Sequence, residues 1–257
     1  MSYISVADVS KTYTQKGKTF HALNHVSLEI EKGELICLLG PSGCGKTTLL
    51  NAIAGFEHPD SGSITVDGEV VTKPVPSRVT VFQHYGLLPW QTVEKNVMFG
   101  LDAQGVPKEE AKQRADHFIE MVGLEKFIHH RPAQLSGGMQ QRVSIARALA
   151  VDPEVIFMDE PFGALDAITR IKLQDDLLHI VKTQHKTVVF VTHDIEEAVY
   201  LADRIVVMTP NPGRIKEIIP VHLGEQRDRT RDDFLQVRDH VFDVFEMKHE
   251  PVTEYFI

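Results

Sequence analysis

Gly40-Pro-Ser-Gly-Cys-Gly-Lys-Thr47 carries three glycines, a lysine and a hydroxyl in the order G-x-x-x-x-G-K-[ST]. A backbone freed of side chains at Gly40, Gly43 and Gly45 can turn its N–H groups inward around an anion. A helix starting there adds the positive end of its dipole. Lys46 then reaches the terminal phosphates of a nucleotide, and the Thr47 hydroxyl is a candidate Mg²⁺ ligand. Pro41, Ser42, Cys44 and Thr48 complete the expected binding loop. A plain glycine turn with a solvated lysine would not require the whole pattern between a strand and a helix.

A second group of polar residues closes apolar runs further along. Val155-Ile-Phe-Met-Asp-Glu160 ends in two carboxylates at a strand's C-terminal end, where open parallel sheets place ligands. Mg²⁺ keeps much of its hydration, so Asp159 alone, directly or through water, suffices as its carboxylate. Glu160 is left to face an attacking water as base or orienting group. The alternative is an acid pair opening a helix. Gln83 follows Val79–Phe82, where an amide can coordinate Mg²⁺ or hydrogen-bond water, and His193 closes Thr187–Thr192. In Leu135-Ser-Gly-Gly-Met-Gln-Gln-Arg142, Ser136 is a candidate N-cap whose helix would aim its free N–H groups at an anion.

These residues need a scaffold that alternates strand and helix. Ile4–Val9 and Val26–Ile30 alternate apolar and polar as half-buried strands do, and Ser63–Asp67 reads as an edge strand. Leu35–Leu39 is continuously apolar, as in a strand covered on both faces, and Thr47–Ala54 reads as a helix. From about Leu87 to Leu149 the pattern is helical. Pro107 opens one helix, with Ala111, Ala115, Phe118, Ile119 and Val122 on one face and Gly123 as its stop. Val155–Met158, a helix over Ile168–Lys182 and Thr187–Thr192 resume the alternation, and Ile205–Met208 and Ile215–Val221 add late strands. The tail from Gly224 is charged and reads as helical.

The 257 residues suffice for a large core, and 42% hydrophobic with 25% charged residues is an ordinary globular composition. No apolar run approaches the ~20 residues that span a bilayer, and Met1–Ser5 does not begin a signal peptide. A net charge of −9 argues against nucleic acid as the main ligand. Cys37 and Cys44 read as two reduced thiols in a cytosolic protein.

Taken in order, the phosphate loop, Gln83, Leu135–Arg142, Val155–Glu160, Gly163-Ala-Leu-Asp166 and His193 resemble the motifs of the ATP-binding cassette family. The resemblance runs from Ile4 to about Leu223. It implies an α/β fold of the P-loop NTPase (RecA-like) kind: a mixed-sheet core, an antiparallel β subdomain and an inserted α-helical subdomain. The domains it implies are an ATP-binding domain over 1–223, with the insert at about 87–149, and a tail over 224–257. ATP and Mg²⁺ are the implied cofactors and ATP hydrolysis the activity. Glu160, His193 and Gln83 are the implied catalytic residues, with His193 at the γ-phosphate, and Thr47, Gln83 and Asp159 surround the metal. Tyr13 stands where the family stacks an aromatic on adenine; a strand-end core tyrosine is the rival reading, and Phe20 a lesser stacking candidate. Ser136, Gly137 and Gly138 would touch ATP held by a second copy, and Asp166 would cross the interface of a head-to-tail homodimer.

Val81–Trp90, Pro161–Arg170, His193–Val199 and Pro210–Arg214 look like the branch serving nitrate, sulfonate and taurine importers, taurine cassettes most of all. His84-Tyr85 departs from the acidic or amide residues usual there. The branch implies separate integral membrane permease subunits, a periplasmic or lipid-anchored solute-binding protein, and a place on the cytoplasmic face of the inner membrane. Leu87-Leu-Pro-Trp90, with the only tryptophan, reads as a docking surface for the permease or as core packing. A soluble cassette of DNA repair or translation, an exporter cassette and a phosphate-loop kinase are the rivals; the kinase leaves Leu135–Arg142 unexplained.

Overall fold

The computed structural model describes residues 2–15, 17–224 and 227–245. In chain order, β1 (Ile4–Gln15) and β2 (Lys18–Ile30) form a hairpin, and β3 (Leu35–Leu39) runs into α1 (Lys46–Ala54). After β4 (Ser61–Val66), β5 (Glu69–Val70) and β6 (Arg78–Val81) come α2 (Val93–Ala103), α3 (Lys108–Met121) and α4 (Gly137–Ala150). Then follow β7 (Val155–Asp159), α5 (Ala167–Gln184), β8 (Thr187–Thr192), α6 (Ile195–Leu201), β9 (Arg204–Thr209), β10 (Arg214–Pro220) and α7 (Asp232–Val244).

Two sheets result. A four-stranded antiparallel sheet runs β2-β1-β4-β5, and a six-stranded mixed sheet runs β10-β9-β3-β8-β7-β6. In the second, β9, β3, β8, β7 and β6 are parallel and β10 is an antiparallel edge. With the helical insert of α2, α3 and α4, this is the expected α/β architecture of a P-loop NTPase.

The buried strands explain themselves by alternation. Leu35, Cys37, Leu39, Ile156, Met158, Val188, Phe190, Ile205 and Val207 face one core, shared with the helical insert, α5 and α6. Ile36, Leu38, Val155, Phe157, Val189, Val191, Val206 and Met208 face the other, filled by α1 and the antiparallel sheet. Each fully buried side chain of this size contributes roughly 1.5–3 kcal/mol. Both faces of the sheet are dry, so these strands read as unbroken apolar runs. Cys37 and Cys44 are buried and unpaired.

Some expectations shift. β1 and β2 continue well past Val9 and begin well before Val26, because the distal hairpin is solvent-exposed and shows no apolar alternation. The helical insert opens at Val93 rather than Leu87, Leu87–Gln91 being an ordered loop. The charged tail is helical over Asp232–Val244, where Phe234 and Val241 enter the core; the rest of that expected helix, 246–257, lies outside the described residues.

Candidate active site

Adjacent strands deliver the polar residues side by side. β3 ends at the glycine loop, its neighbour β8 at His193, the next strand β7 at Asp159-Glu160, and β6 two residues before Gln83. Parallel pairing puts all four C-terminal ends on one rim of the sheet.

The loop itself is shaped for close approach to an anion. Gly45, at φ +96°, lies so near the Ala22 carbonyl that any Cβ would collide with it, while Gly43, at φ +80°, opens on free space. Lys46 is buried and donates to the carbonyls of Gly40 at 2.7 Å and Pro41 at 3.2 Å. Those neutral carbonyls satisfy the ammonium without neutralising it, which suits a phosphate. Burial holds the Cys44 thiol above its ordinary pKa, and its sulfur lies 3.9 Å from the Lys46 ammonium. Thr47 donates its hydroxyl to Asp159 Oδ1 at 3.2 Å. Burial, opposed by that hydrogen bond, lifts the Asp159 carboxyl above the usual carboxylate range.

A cleft of ≈ 300 Å³ lies over this loop, lined by Phe20, Ser42, Gly43, Gly45, Lys46, Thr47, Thr48, Gln83 and Glu160. Thr47, Asp159 and the Gln83 amide are hard oxygen donors fit for Mg²⁺, which takes few protein ligands alongside phosphates. Among the described residues no cluster of three or more His, Cys, Asp or Glu could hold a metal by itself. The donor set therefore fits a metal that arrives with a nucleotide.

Glu160 is the meeting point. Its Oε1 lies 3.1 Å from His193 Nδ1 and its Oε2 accepts from Gln83 Nε2 at 3.4 Å. Its backbone sits at φ +47° and donates to the Val191 carbonyl at 3.0 Å, so the side chain leaves the strand sharply toward the cleft. Tyr13 donates to Glu57 at 3.0 Å and stands directly across the hairpin from Phe20, which lines the cleft. Phe20 gains its place from strand pairing, a signal the exposed hairpin conceals.

Ser136, Gly137, Gly138 and Asp166 do not line this cleft. Ser136 caps α4, its hydroxyl accepting from Met139 N at 3.3 Å, and Asp166 caps α5 by accepting from Thr169 N at 3.0 Å. Gly137 lies under the Tyr85 phenol and Gly138 against the Ala164 carbonyl. Arg147 fixes the Tyr85 and Gly86 carbonyls at 3.0 and 2.8 Å, a link between the glutamine loop and α4 that the sequence does not announce.

Sheet, loop and carboxylates define a nucleoside triphosphatase of the phosphate-loop class. Residues 23–163 match the family described as ABC transporter. A bicarbonate transport ATP-binding protein of Synechocystis is 47% identical over 94% of this chain and 88% of its own length. An aliphatic sulfonates import ATP-binding protein of Bacillus thuringiensis is 43% identical over 95% and 96%. A solved dimeric ATP-binding cassette in a post-hydrolysis state, bound to ADP and phosphate, superposes with a TM-score of 0.79 at 35% identity, covering 86% of this chain and all of that one. The chain belongs to the ABC transporter family and is an ATPase domain of it, with ATP and Mg²⁺ as its cofactors.

Proposed function

We propose that the chain is the ATP-hydrolysing subunit of an importer for a small anion of the taurine, sulfonate, nitrate or bicarbonate class. It works as a head-to-tail homodimer at the cytoplasmic face of the membrane, beside a separate permease and an external solute-binding protein. The observation that carries the dimer is the distance in role between two half-sites: the cleft is complete on the phosphate side, yet the capped helix at Ser136 opens elsewhere. The dimeric solved cassette and the transport names of the relatives support the same reading.

In this reading Lys46 and the loop N–H groups bind the β- and γ-phosphates, and Tyr13 or Phe20 stacks on the base. Thr47, Asp159 and Gln83 would hold Mg²⁺, which neutralises charge on the phosphates. Glu160 takes the proton of the attacking water, oriented by His193 and Gln83 on its two oxygens. Ser136 and the N–H groups of Gly137 and Gly138 cap the γ-phosphate of the partner's nucleotide.

Trp90 is 65% exposed, whereas Leu87 is partly buried against the core, so the segment combines an outward aromatic with an inward anchor. Phe99, Gly100, Ala103 and Val151 line an apolar hollow of ≈ 320 Å³ between the insert and β6. Such a patch suits a permease helix.

Glu160→Gln tests the reading. It should bind ATP normally, lose hydrolysis by about 10²-fold or more and sediment as a dimer with ATP and Mg²⁺. Wild-type turnover in that variant would remove Glu160 from catalysis.

A further inference from the structure

The charged segment after β10 reaches back into the catalytic rim. Arg229 donates from Nη2 to Gln174 Oε1 at 2.6 Å, and its guanidinium stacks 3.4 Å over the Tyr200 ring. Gln174, on α5, donates from Nε2 to Glu197 Oε1 at 2.9 Å. Both of these side chains are buried. The Glu197 carboxylate, on α6, also accepts from the Thr192 hydroxyl, one residue before His193. Around it, Asp194 accepts from Glu197 N at 3.1 Å and lies 3.9 Å from Arg170. A cavity of ≈ 90 Å³ is shared by Glu197, Thr192, His193, Arg170 and Glu160. Arg227 anchors the same segment by donating to the Tyr200 and Ala202 carbonyls at 2.7 and 2.8 Å.

The arrangement ties the middle of α5 to the first turn of α6. α6 is capped by Asp194, next to His193, and Arg229 braces both helices through Gln174. We propose that Arg229 is a positioning residue for hydrolysis: through Gln174 and Glu197 it fixes the His193 turn against Glu160. The proposal rests on the catalytic reading of Glu160 and His193 given above. A buried relay of this kind holds only one geometry, since any member left unpaired in the dry interior is costly. Loosening it lets His193 drift from Glu160 while the phosphate loop, at the end of the neighbouring strand β3, keeps its own contacts.

The test is steady-state hydrolysis of Mg–ATP by the full chain, with binding of an anthraniloyl-labelled ATP followed in parallel. Arg229→Ala should lower kcat about tenfold while KM and nucleotide affinity stay within about twofold. Arg229→Lys, lacking the stacked planar fork, should recover only part of the loss. Gln174→Leu should match Arg229→Ala, and the double variant should fall no further than the worse single one. Should Arg229→Ala fail to fold, Gln174→Leu and Arg229→Lys carry the comparison. A kcat within about twofold of the parent, or losses that multiply in the double variant, overturns the proposal. Glu160→Gln in the same series separates the two readings. If it hydrolyses ATP, the catalytic reading fails; if it is silent while Arg229→Ala is normal, only the relay fails.

Discussion

Glu160 adopts a left-handed backbone conformation that costs a non-glycine residue about 1–3 kcal/mol. That cost goes with its place between His193 and Gln83, an aim that ordinary strand geometry would not give it. Glu197 is the contrasting carboxylate. It is buried, and burial first, then the Asp194 charge, raises its pKa against the hydrogen bonds from Thr192 and Gln174 and the Arg170 charge. A pKa higher in the folded state means that folding favours the protonated form. That contribution is fully present below the unfolded pKa and is lost as pH rises through the folded value. Glu197→Gln should therefore melt at a higher temperature than the parent at pH 7.5, the gap narrowing as the pH falls. A variant that melts lower at pH 7.5 would contradict this. Residue identities were legible where a short motif holds them, as at Gly40–Thr47; Glu197 and Arg229 were not, because their partners lie 23 and 55 residues from them in the chain.

At the scale of elements, legibility followed burial. β3, β7 and β8 are covered on both faces, and their apolar runs were readable almost to the residue. The β1–β2 hairpin was not, because its outer half is exposed and its pairing slips at bulges near Asp8 and His25, both at φ +53°. The first helix of the insert starts at Val93, after the apolar segment from Leu87, for another reason. Asn96, fully buried in α2, accepts from Leu88 N at 2.8 Å and donates to the carbonyls of Leu88, Gln91 and Thr92 at 3.2, 3.3 and 2.9 Å. It thus pins an apolar segment as a loop and presents Trp90 outward. Asn96→Ala strands several of these backbone groups, and each unsatisfied buried group costs roughly 1–3 kcal/mol. Urea unfolding should show a loss of about 2 kcal/mol or more; a loss under about 0.5 kcal/mol would mean that the loop holds itself.

For the whole molecule, the sheet brings Gln83, Glu160 and His193 to one rim, and the separation of Ser136 from the cleft fits the proposed composite site of two copies. Both sets of residues were visible in the sequence, and the family resemblance already implied that Ser136 would act on a second copy's nucleotide; what it did not show is how the insert packs beside β6 to hold Ser136 away from the cleft. The account stands on the claim that a phosphate loop and the partner's capped helix make one composite site. It is tested most directly by mixing two inactive chains, Lys46→Ala and Ser136→Arg. A mixed dimer holds one site with an intact Lys46 from one chain and an intact Ser136 from the other. Hydrolysis well above either variant alone is the predicted result. Mixed dimers verified by sedimentation that hydrolyse no more ATP than the separate chains would contradict it.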